Sequence, residues 1–191
     1  TQTTYANLGS TVTLANAPLA AVSTFVVVNI SSLACQWNTK GNPAGTLFVA
    51  EVSSVAGFSP LSGSSSTVLS TATFAGLIAN TTYFVQVKAK NHTGIETTYA
   101  GLGSSSTLSA LPGASAFSAV TTGALRTNWT QNGNPAQATI YNVDLSTDSN
   151  FNPINQTSVT FNNYGDFASL SINTTYYARV KAQNHAGTQT T

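Results

Sequence analysis

Residues 80–94 read NTTYFVQVKAKNHTG, and residues 173–187 read NTTYYARVKAQNHAG. In the first copy, Tyr83, Val85, Val87 and Ala89 alternate with more polar residues. A hydrophobic period of two is that of a β-strand with one buried face. Each copy therefore predicts one strand, followed by a turn at its Asn-His-x-Gly sequence.

A second repeated stretch lies upstream of each of these copies. Residues 37–44 read WNTKGNPA, and residues 129–136 read WTQNGNPA. The residues before them alternate in the same way, which places Leu33, Cys35 and Trp37, and their counterparts Leu125, Thr127 and Trp129, on inward faces. The two repeats together divide the chain into two modules of about 93 residues, which is an ordinary domain size.

The strand after each Gly-Asn-Pro turn shows the same alternation. Its inward residues are Phe48, Ala50 and Val52 in module 1, and Tyr141, Val143 and Leu145 in module 2. No stretch keeps a helical period over three turns. The sequence therefore predicts an all-β protein, with Cys35 as a small buried residue because Thr127 stands at the equivalent position.

The spacing Leu77-x5-Tyr83-x-Val85-x-Val87, with a turn glycine at Gly94, resembles the fibronectin type III domain. Leu170, Tyr176 and Gly187 repeat it, and Trp37 and Trp129 also match the family. The resemblance implies two tandem seven-stranded, immunoglobulin-like β-sandwiches in which Leu77, Tyr83, Leu170 and Tyr176 form tyrosine corners. The Arg-Gly-Asp tripeptide by which some members of the family bind integrins is absent.

The first residues repeat a segment of module 1. Residues 3–10 read TTYANLGS, and residues 97–104, where module 1 should have its strand G, read TTYAGLGS. We therefore expect residues 1–16 to be a strand G that completes a preceding module, 17–108 to be module 1, and 109–191 to be module 2 without its own strand G. The inferred assembly strand carries Thr3, Tyr5, Leu8, Val12 and Leu14.

Two interpretations of this arrangement remain open. Residues 188–191 and 1–4 both read TQTT, in register with the module repeat. The chain is then either a segment of a long covalent array or a subunit whose first strand completes the next subunit. Both interpretations predict partners that are copies of the chain or adjacent modules, joined head to tail in a contact that does not close into a ring.

Charge is scarce, at 6% of residues, with a formal net charge of +1. Six scattered basic residues argue against a nucleic-acid partner, which needs clustered Lys and Arg. No apolar run approaches the ~20 residues of a membrane span. A surface rich in Thr, Ser and Asn favours an extracellular or cell-surface location, and the single Cys35 excludes an intramolecular disulfide.

The titratable residues give no sign of catalysis, a metal or a cofactor. Glu51 and Asp144 stand at equivalent outward positions in different modules, and His92 and His185 recur in equivalent turns, which they are expected to shape. The sequence Asp148-Ser149-Asn150 is typical of a turn more than of a calcium site. We expect no catalytic, cofactor-binding or metal-binding residues.

Two surface features are weaker indications. Six Asn-x-Ser/Thr sequences occur, close to the number that composition alone gives, and Asn80 and Asn173 are the expected exposed glycosylation candidates. Leu47, Val49 and Phe84 are predicted to form an apolar lateral patch on module 1, with scattered surface residues of no role as the equal alternative.

The sequence thus predicts a non-catalytic extracellular structural repeat that forms a rod, stalk or surface filament. In this interpretation, rigid modules are joined by a short connection around residues 110–113, where Pro112 restricts the hinge. The alternative is an adhesive or carbohydrate-binding module of a secreted or cell-surface protein, with a glycan or receptor as partner.

Overall fold

The computed structural model describes residues 3–191, so that positions 1 and 2 of the expected 1–16 segment lie outside it. This part of the chain folds into strands joined by turns, and the all-β prediction is confirmed. The strands are β1 (Leu19–Val28), β2 (Ser32–Asn38), β3 (Leu47–Ser53), β4 (Gly63–Thr67), β5 (Thr71–Ala75), β6 (Thr82–Lys90), β7 (Ala100–Ser106), β8 (Gly113–Ala114), β9 (Ala124–Thr130), β10 (Ile140–Ser146), β11 (Gln156–Thr160), β12 (Tyr164–Ala168) and β13 (Tyr177–Gln183).

Module 1 is a sandwich of a three-stranded and a four-stranded sheet. The strand orders are β1-β2-β5 and β4-β3-β6-β7, and all neighbours are antiparallel. The pairing of β6 with β7 contains a bulge, because Val85 faces Gly103 while Gln86 faces Gly101. The extra residue, Leu102, is buried in the core between the sheets. The bulge requires a positive φ at the next residue, and Gly103 adopts it (91°) without steric strain.

Module 2 repeats this plan with one strand fewer. Its sheets have the orders β12-β9-β8 and β11-β10-β13, so that within the described residues β10 is the one strand paired with β13, whose other edge has an isolated bridge between Gln183 and Gln189. The first strand is also reduced: β8 has two residues where β1 has ten, and Ala119, with a positive φ of 48°, interrupts the segment that follows it. Only an isolated bridge between Ser118 and Arg126 extends the pairing.

Each core is centred on a tryptophan and the strand that follows it. Trp37 packs edge-on against Phe48, with ring centroids 5.7 Å apart, and Trp129 packs against Tyr141 at 5.4 Å. The inward residues expected from the period of two in β2, β3, β6 and β10 are buried. Cys35 lies at 0% exposure in the first core.

Residues 3–18 form no strand in this chain, and the expectation that residues 1–16 complete a preceding module remains a prediction, because no such module is among the described residues. The physical reason is the absence of an available edge: β7 already covers β6, and the open edge of β13 belongs to module 2. Tyr5 and Leu8 are fully exposed, Leu14 is largely exposed and Val12 is 41% exposed. The segment touches module 1 only near its end, as described below.

Candidate functional site

The contact between the two modules is built around Asn80, in the turn between β5 and β6. Asn80 has a positive φ of 43° and a completely buried side chain. Its amide donates to Thr139 Oγ1 over 2.9 Å, and its carbonyl oxygen accepts from the backbone N of His185 over 2.8 Å. Both polar ends of a buried amide are satisfied across the interface, which fixes the relative position of the modules.

This geometry corrects two expectations. Asn80 is not an exposed glycosylation candidate, because module 2 covers it, whereas Asn173 at the equivalent position of module 2 is exposed. His185 does more than shape its turn: its ring Nδ1 lies 3.3 Å from Thr82 Oγ1 of module 1, and its Nε2 lies 3.2 Å from the carbonyl oxygen of Ala138. A single sequence shows the turn but not which module packs against it.

Two further buried asparagines of module 2 hold the segment that connects the modules. Asn134 exchanges two hydrogen bonds with the backbone of Ala110, at 2.8 and 2.7 Å. Asn184 donates to the carbonyl oxygen of Thr107 over 3.1 Å. The connection is therefore held by two side-chain amides at positions before its Leu111-Pro112 sequence, and Pro112 is not its only restraint.

The same contacts recur at the other end of module 1. Asn42 exchanges two hydrogen bonds with the backbone of Asn16, at 2.8 and 2.7 Å, and Asn91 donates to the carbonyl oxygen of Thr13 over 3.2 Å. Asn42 and Asn91 are the repeat counterparts of Asn134 and Asn184. Residues 13–16 consequently lie on module 1 as residues 107–110 lie on module 2.

Module 1 therefore also carries the residues with which module 2 forms its side of the joint. They lie at the end of module 1 that contacts residues 13–16, which we call its near end. A cavity of about 160 Å³ there is lined by Thr13, Asn42, Thr46, Asn91 and His92, among others. Thr46 and His92 are the counterparts of Thr139 and His185, the two residues that bind Asn80. Thr46 is buried and its hydroxyl donates to the carbonyl oxygen of Pro43 over 2.8 Å, so its oxygen can still accept a hydrogen bond, as that of Thr139 does. We call this cavity the near-end socket.

A larger cavity opens in module 2 beside the unpaired edge of β13. Its volume is about 280 Å³, and its lining includes Trp129, Val143, Ala178 and Val180 from the core. In module 1 the corresponding space between the sheets is closed by β7, whose Leu102 belongs to the core. We call the module 2 feature the β13 cavity.

The tyrosine corners have the geometry that the resemblance implies. The backbone N of Ile78 donates to the Tyr83 hydroxyl over 2.9 Å, and that of Ser171 donates to the Tyr176 hydroxyl over 3.0 Å. Leu77 and Tyr83 are buried, whereas Leu170 and Tyr176 are partly exposed at the edge of their core. These residues stabilise the fold, and Leu170 and Tyr176 also line a surface cavity on module 2.

The expected lateral patch is not contiguous, which corrects that prediction. Leu47 and Val49 lie opposite Lys90 and Lys88, and Phe84 lies opposite Ser53. The Glu51–Gln86 pair, joined by a 2.7 Å hydrogen bond, separates them. All three apolar residues are half-buried, which further reduces the exposed apolar surface of this face.

The carboxylates are dispersed in local contacts. Arg126 binds Asp166 through two hydrogen bonds and lowers the pKa of that carboxyl, and Lys88 lowers the pKa of Glu96 in the same way. Asp144 pairs with Arg179, and Asp148 accepts from Asn150 within its own turn. Among the residues described, no group of three His, Cys, Asp or Glu residues is placed to hold a metal ion.

Burial determines the pKa of the single thiol, that of Cys35. It raises the pKa of Cys35 to about 11, so the group is a neutral thiol at ordinary pH. Within residues 3–191 no helix has the length and apolar character of a membrane span.

The sequence indicated the recurring asparagines but not their function at the joint. Asn134 and Asn184 stand in the repeated Gly-Asn-Pro and Asn-His-x-Gly sequences, which were interpreted as turn signals alone. The informative sign was that both turns recur at one end of each module. Only the packing of the two sandwiches shows that this end receives the loop of the preceding module.

Comparison with known proteins supports the fold. A structure described as a two fibronectin type III domain segment from chicken tenascin superimposes with a TM-score of 0.55 at 12% sequence identity, covering 92% of this chain and 95% of that one. A human fibronectin type III domain aligns with 52% of the chain, at a TM-score of 0.43 and 20% identity. No family model and no curated protein matches the sequence. The chain therefore has the tandem fibronectin type III fold that the sequence motifs predicted.

Proposed function

We propose that this chain is a non-catalytic structural unit of an extracellular or cell-surface rod, stalk or filament, in which sandwich modules continue head to tail. The observation that carries this proposal is the joint. Asn80, Asn134 and Asn184 fix module 1 against module 2, and Asn42 and Asn91 prepare the near end of module 1 for the same kind of contact.

The joint supports a mechanical function because its buried hydrogen bonds resist a change in the angle between the two modules. Its amides are buried and hydrogen-bonded on both modules, and a buried amide that loses its partner costs about 1–3 kcal/mol. Bending at the joint would break several such bonds together. A surface rich in Thr, Ser and Asn and poor in charge supports the extracellular location.

The proposal is tested by the relative motion of the two modules in solution. Residual dipolar couplings should give one common alignment for both modules in the unmodified chain. Asn80→Ala should give two alignments of different magnitude, because module 2 loses the partner of Thr139 and of the His185 backbone N. Asn163→Ala, an exposed asparagine in the turn between β11 and β12, is the control and should retain the common alignment.

Two independent alignments in the unmodified chain would contradict a rigid rod. Preserved rigidity in Asn80→Ala would show that the joint depends on other contacts. A double variant, Asn80→Ala with Asn184→Ala, then removes contacts from both modules and should loosen the joint.

A further inference from the structure

We propose that Asn132 is a site of spontaneous covalent modification, at which deamidation and isomerisation to isoaspartate loosen the connection between the two modules. The proposal rests on the proposed function and deepens it, because it makes the rigidity of the joint decrease with the age of the chain. The reaction needs solvent water as its only co-reactant. Its site is the turn that follows β9.

The sequence has one Asn-Gly step, at Asn132-Gly133. Every other asparagine of the chain is followed by a residue with a side chain. A side chain at that position hinders the approach of its own backbone N to the asparagine, whereas glycine has no Cβ and a flexible backbone. Asn132 is therefore the asparagine whose side chain is most open to attack by the next residue.

The modification begins as an intramolecular ring closure. The backbone N of Gly133 attacks Cγ of Asn132 and loses its proton to the solvent. A C–N bond forms and the Cγ–Nδ2 bond breaks, so that ammonia leaves with a proton taken from water. Water then opens the five-membered imide at either carbonyl carbon. Opening at Cγ gives aspartate, and opening at the main-chain carbon gives isoaspartate, whose main chain runs through the side chain.

Both reacting groups are accessible in the structure. Asn132 and Gly133 are exposed, and within residues 3–191 the backbone N of Gly133 donates to no protein group. The Thr130 hydroxyl donates to Oδ1 of Asn132 over 3.1 Å. A donor at this oxygen stabilises the negative charge that develops on it during the attack. The folded turn therefore supplies a free nucleophile and a polarised carbonyl.

The first consequence is the loss of a hydrogen-bond donor beside the connection. Nδ2 of Asn132 donates to the carbonyl oxygen of Leu111 over 2.8 Å. Deamidation removes this nitrogen and leaves a carboxylate, which only accepts hydrogen bonds, close to that carbonyl oxygen. The contact changes from attractive to repulsive at the Leu111-Pro112 sequence.

The second consequence concerns the geometry of the turn. The backbone N of Asn134 donates to the carbonyl oxygen of Gln131 over 3.0 Å, and the two residues between them have positive φ values of 49° and 86°. These are the features of a type I′ turn. Isoaspartate lengthens the main chain inside this turn by a methylene group. Asn134, which exchanges two hydrogen bonds with Ala110, is then displaced from the connection.

Module 1 has the same turn without the reactive residue. Lys40 and Gly41 have φ values of 54° and 79°, and the backbone N of Asn42 donates to the carbonyl oxygen of Thr39 over 3.2 Å. A lysine side chain has no amide carbon and forms no imide. The turn therefore does not require asparagine at this position, and Asn132→Lys supplies a matched turn that cannot undergo the reaction.

The first experiment measures the covalent change. The folded chain is incubated for weeks at mildly alkaline pH, and its peptides are mapped by mass spectrometry and by isoaspartate-specific methylation. Asn132 should be the first asparagine to convert, and this isoaspartate signal should be lost in Asn132→Lys. Asn163→Lys, at an exposed asparagine followed by tyrosine, is the control and should retain it. An Asn132 that stays intact while other asparagines convert would overturn the proposal.

The second experiment measures the connection in the fresh and the incubated chain. The backbone N of Ala110 is buried and donates to Oδ1 of Asn134 over 2.8 Å, so its hydrogen exchange reports on this contact. Exchange should be faster by about tenfold or more in the isoaspartate form, because the amide loses its partner. Incubation should leave the rate unchanged in Asn132→Lys. Equal rates in the fresh and isoaspartate forms would contradict the loosening. Dipolar couplings are measured on the fresh chain, so the proposed function stands or fails separately.

Discussion

Modules 1 and 2 carry equivalent residues on the inward face of their sixth strand, yet the two faces are buried to different extents. Val85 and Val87 of β6 are 1% and 0% exposed, whereas their counterparts Ala178 and Val180 on β13 are only partly buried. The difference is the presence of β7 on one edge and not on the other. The core of this fold therefore depends on a strand that closes the side of the sandwich, and not only on the alternation within each strand.

The largest effect expected from this comparison concerns the two equivalent leucines. Leu102→Ala should lower the free energy of unfolding of module 1 by about 2–5 kcal/mol, because it leaves a cavity in a closed core. Leu8→Ala should change it by no more than about 0.5 kcal/mol in dilute monomer, since Leu8 is exposed.

Each module has one tryptophan, so the measurement can be made for one module at a time. Urea unfolding of module 1 is followed by Trp37 fluorescence in a Trp129→Phe background. Equal effects of the two leucine substitutions would contradict the difference between β7 and residues 3–14.

A smaller effect is expected at the two tyrosine corners. Tyr83→Phe removes the acceptor of the Ile78 backbone N beside a closed core and should cost about 1 kcal/mol. Tyr176→Phe should cost less than half of that, because water reaches the exposed Ser171–Tyr176 bond and can replace the hydroxyl. The two values come from urea unfolding followed by the tryptophan of the affected module. A larger cost at Tyr176 would show that module 2 is closed in solution.

At neutral pH, the smallest effect on stability concerns the position where module 1 has Cys35 and module 2 has Thr127. Burial holds the pKa of Cys35 at about 11, which leaves about 100-fold less thiolate at pH 8 than an unperturbed thiol with a pKa near 9. Reaction with a disulfide reagent should be slower by at least that factor in the folded chain and normal in urea.

Through the Cys35 thiol, the free energy of unfolding decreases as the pH rises. The unfolded thiol loses its proton near pH 9 and the folded one near pH 11, so Cys35 contributes a loss of stability as the pH rises through that window. Cys35→Thr, which copies module 2, should remove this part of the loss. Rapid modification of the folded chain at pH 8 would contradict the buried position.

The strands and their inward faces could be predicted from the sequence, because burial on one face of a sheet leaves a period of two that local inspection detects. Trp37, Tyr83 and their repeats also indicated the fold type and the tyrosine corners. The joint could not be predicted in this way. Asn80 was expected to be an exposed glycosylation candidate, and only the position of module 2 shows that it is buried.

The sequence by itself determined that this chain consists of two β-sandwich modules with few charges, since alternation, turn residues and repeats are local properties of the chain. The tertiary structure alone decided that the modules meet through buried asparagines and that the Leu47–Val49–Phe84 patch is divided. These features depend on which surfaces come together across distant parts of the chain. Hydrogen bonds between residues 59 or 105 positions apart produce no periodic pattern in the sequence from which they could be predicted.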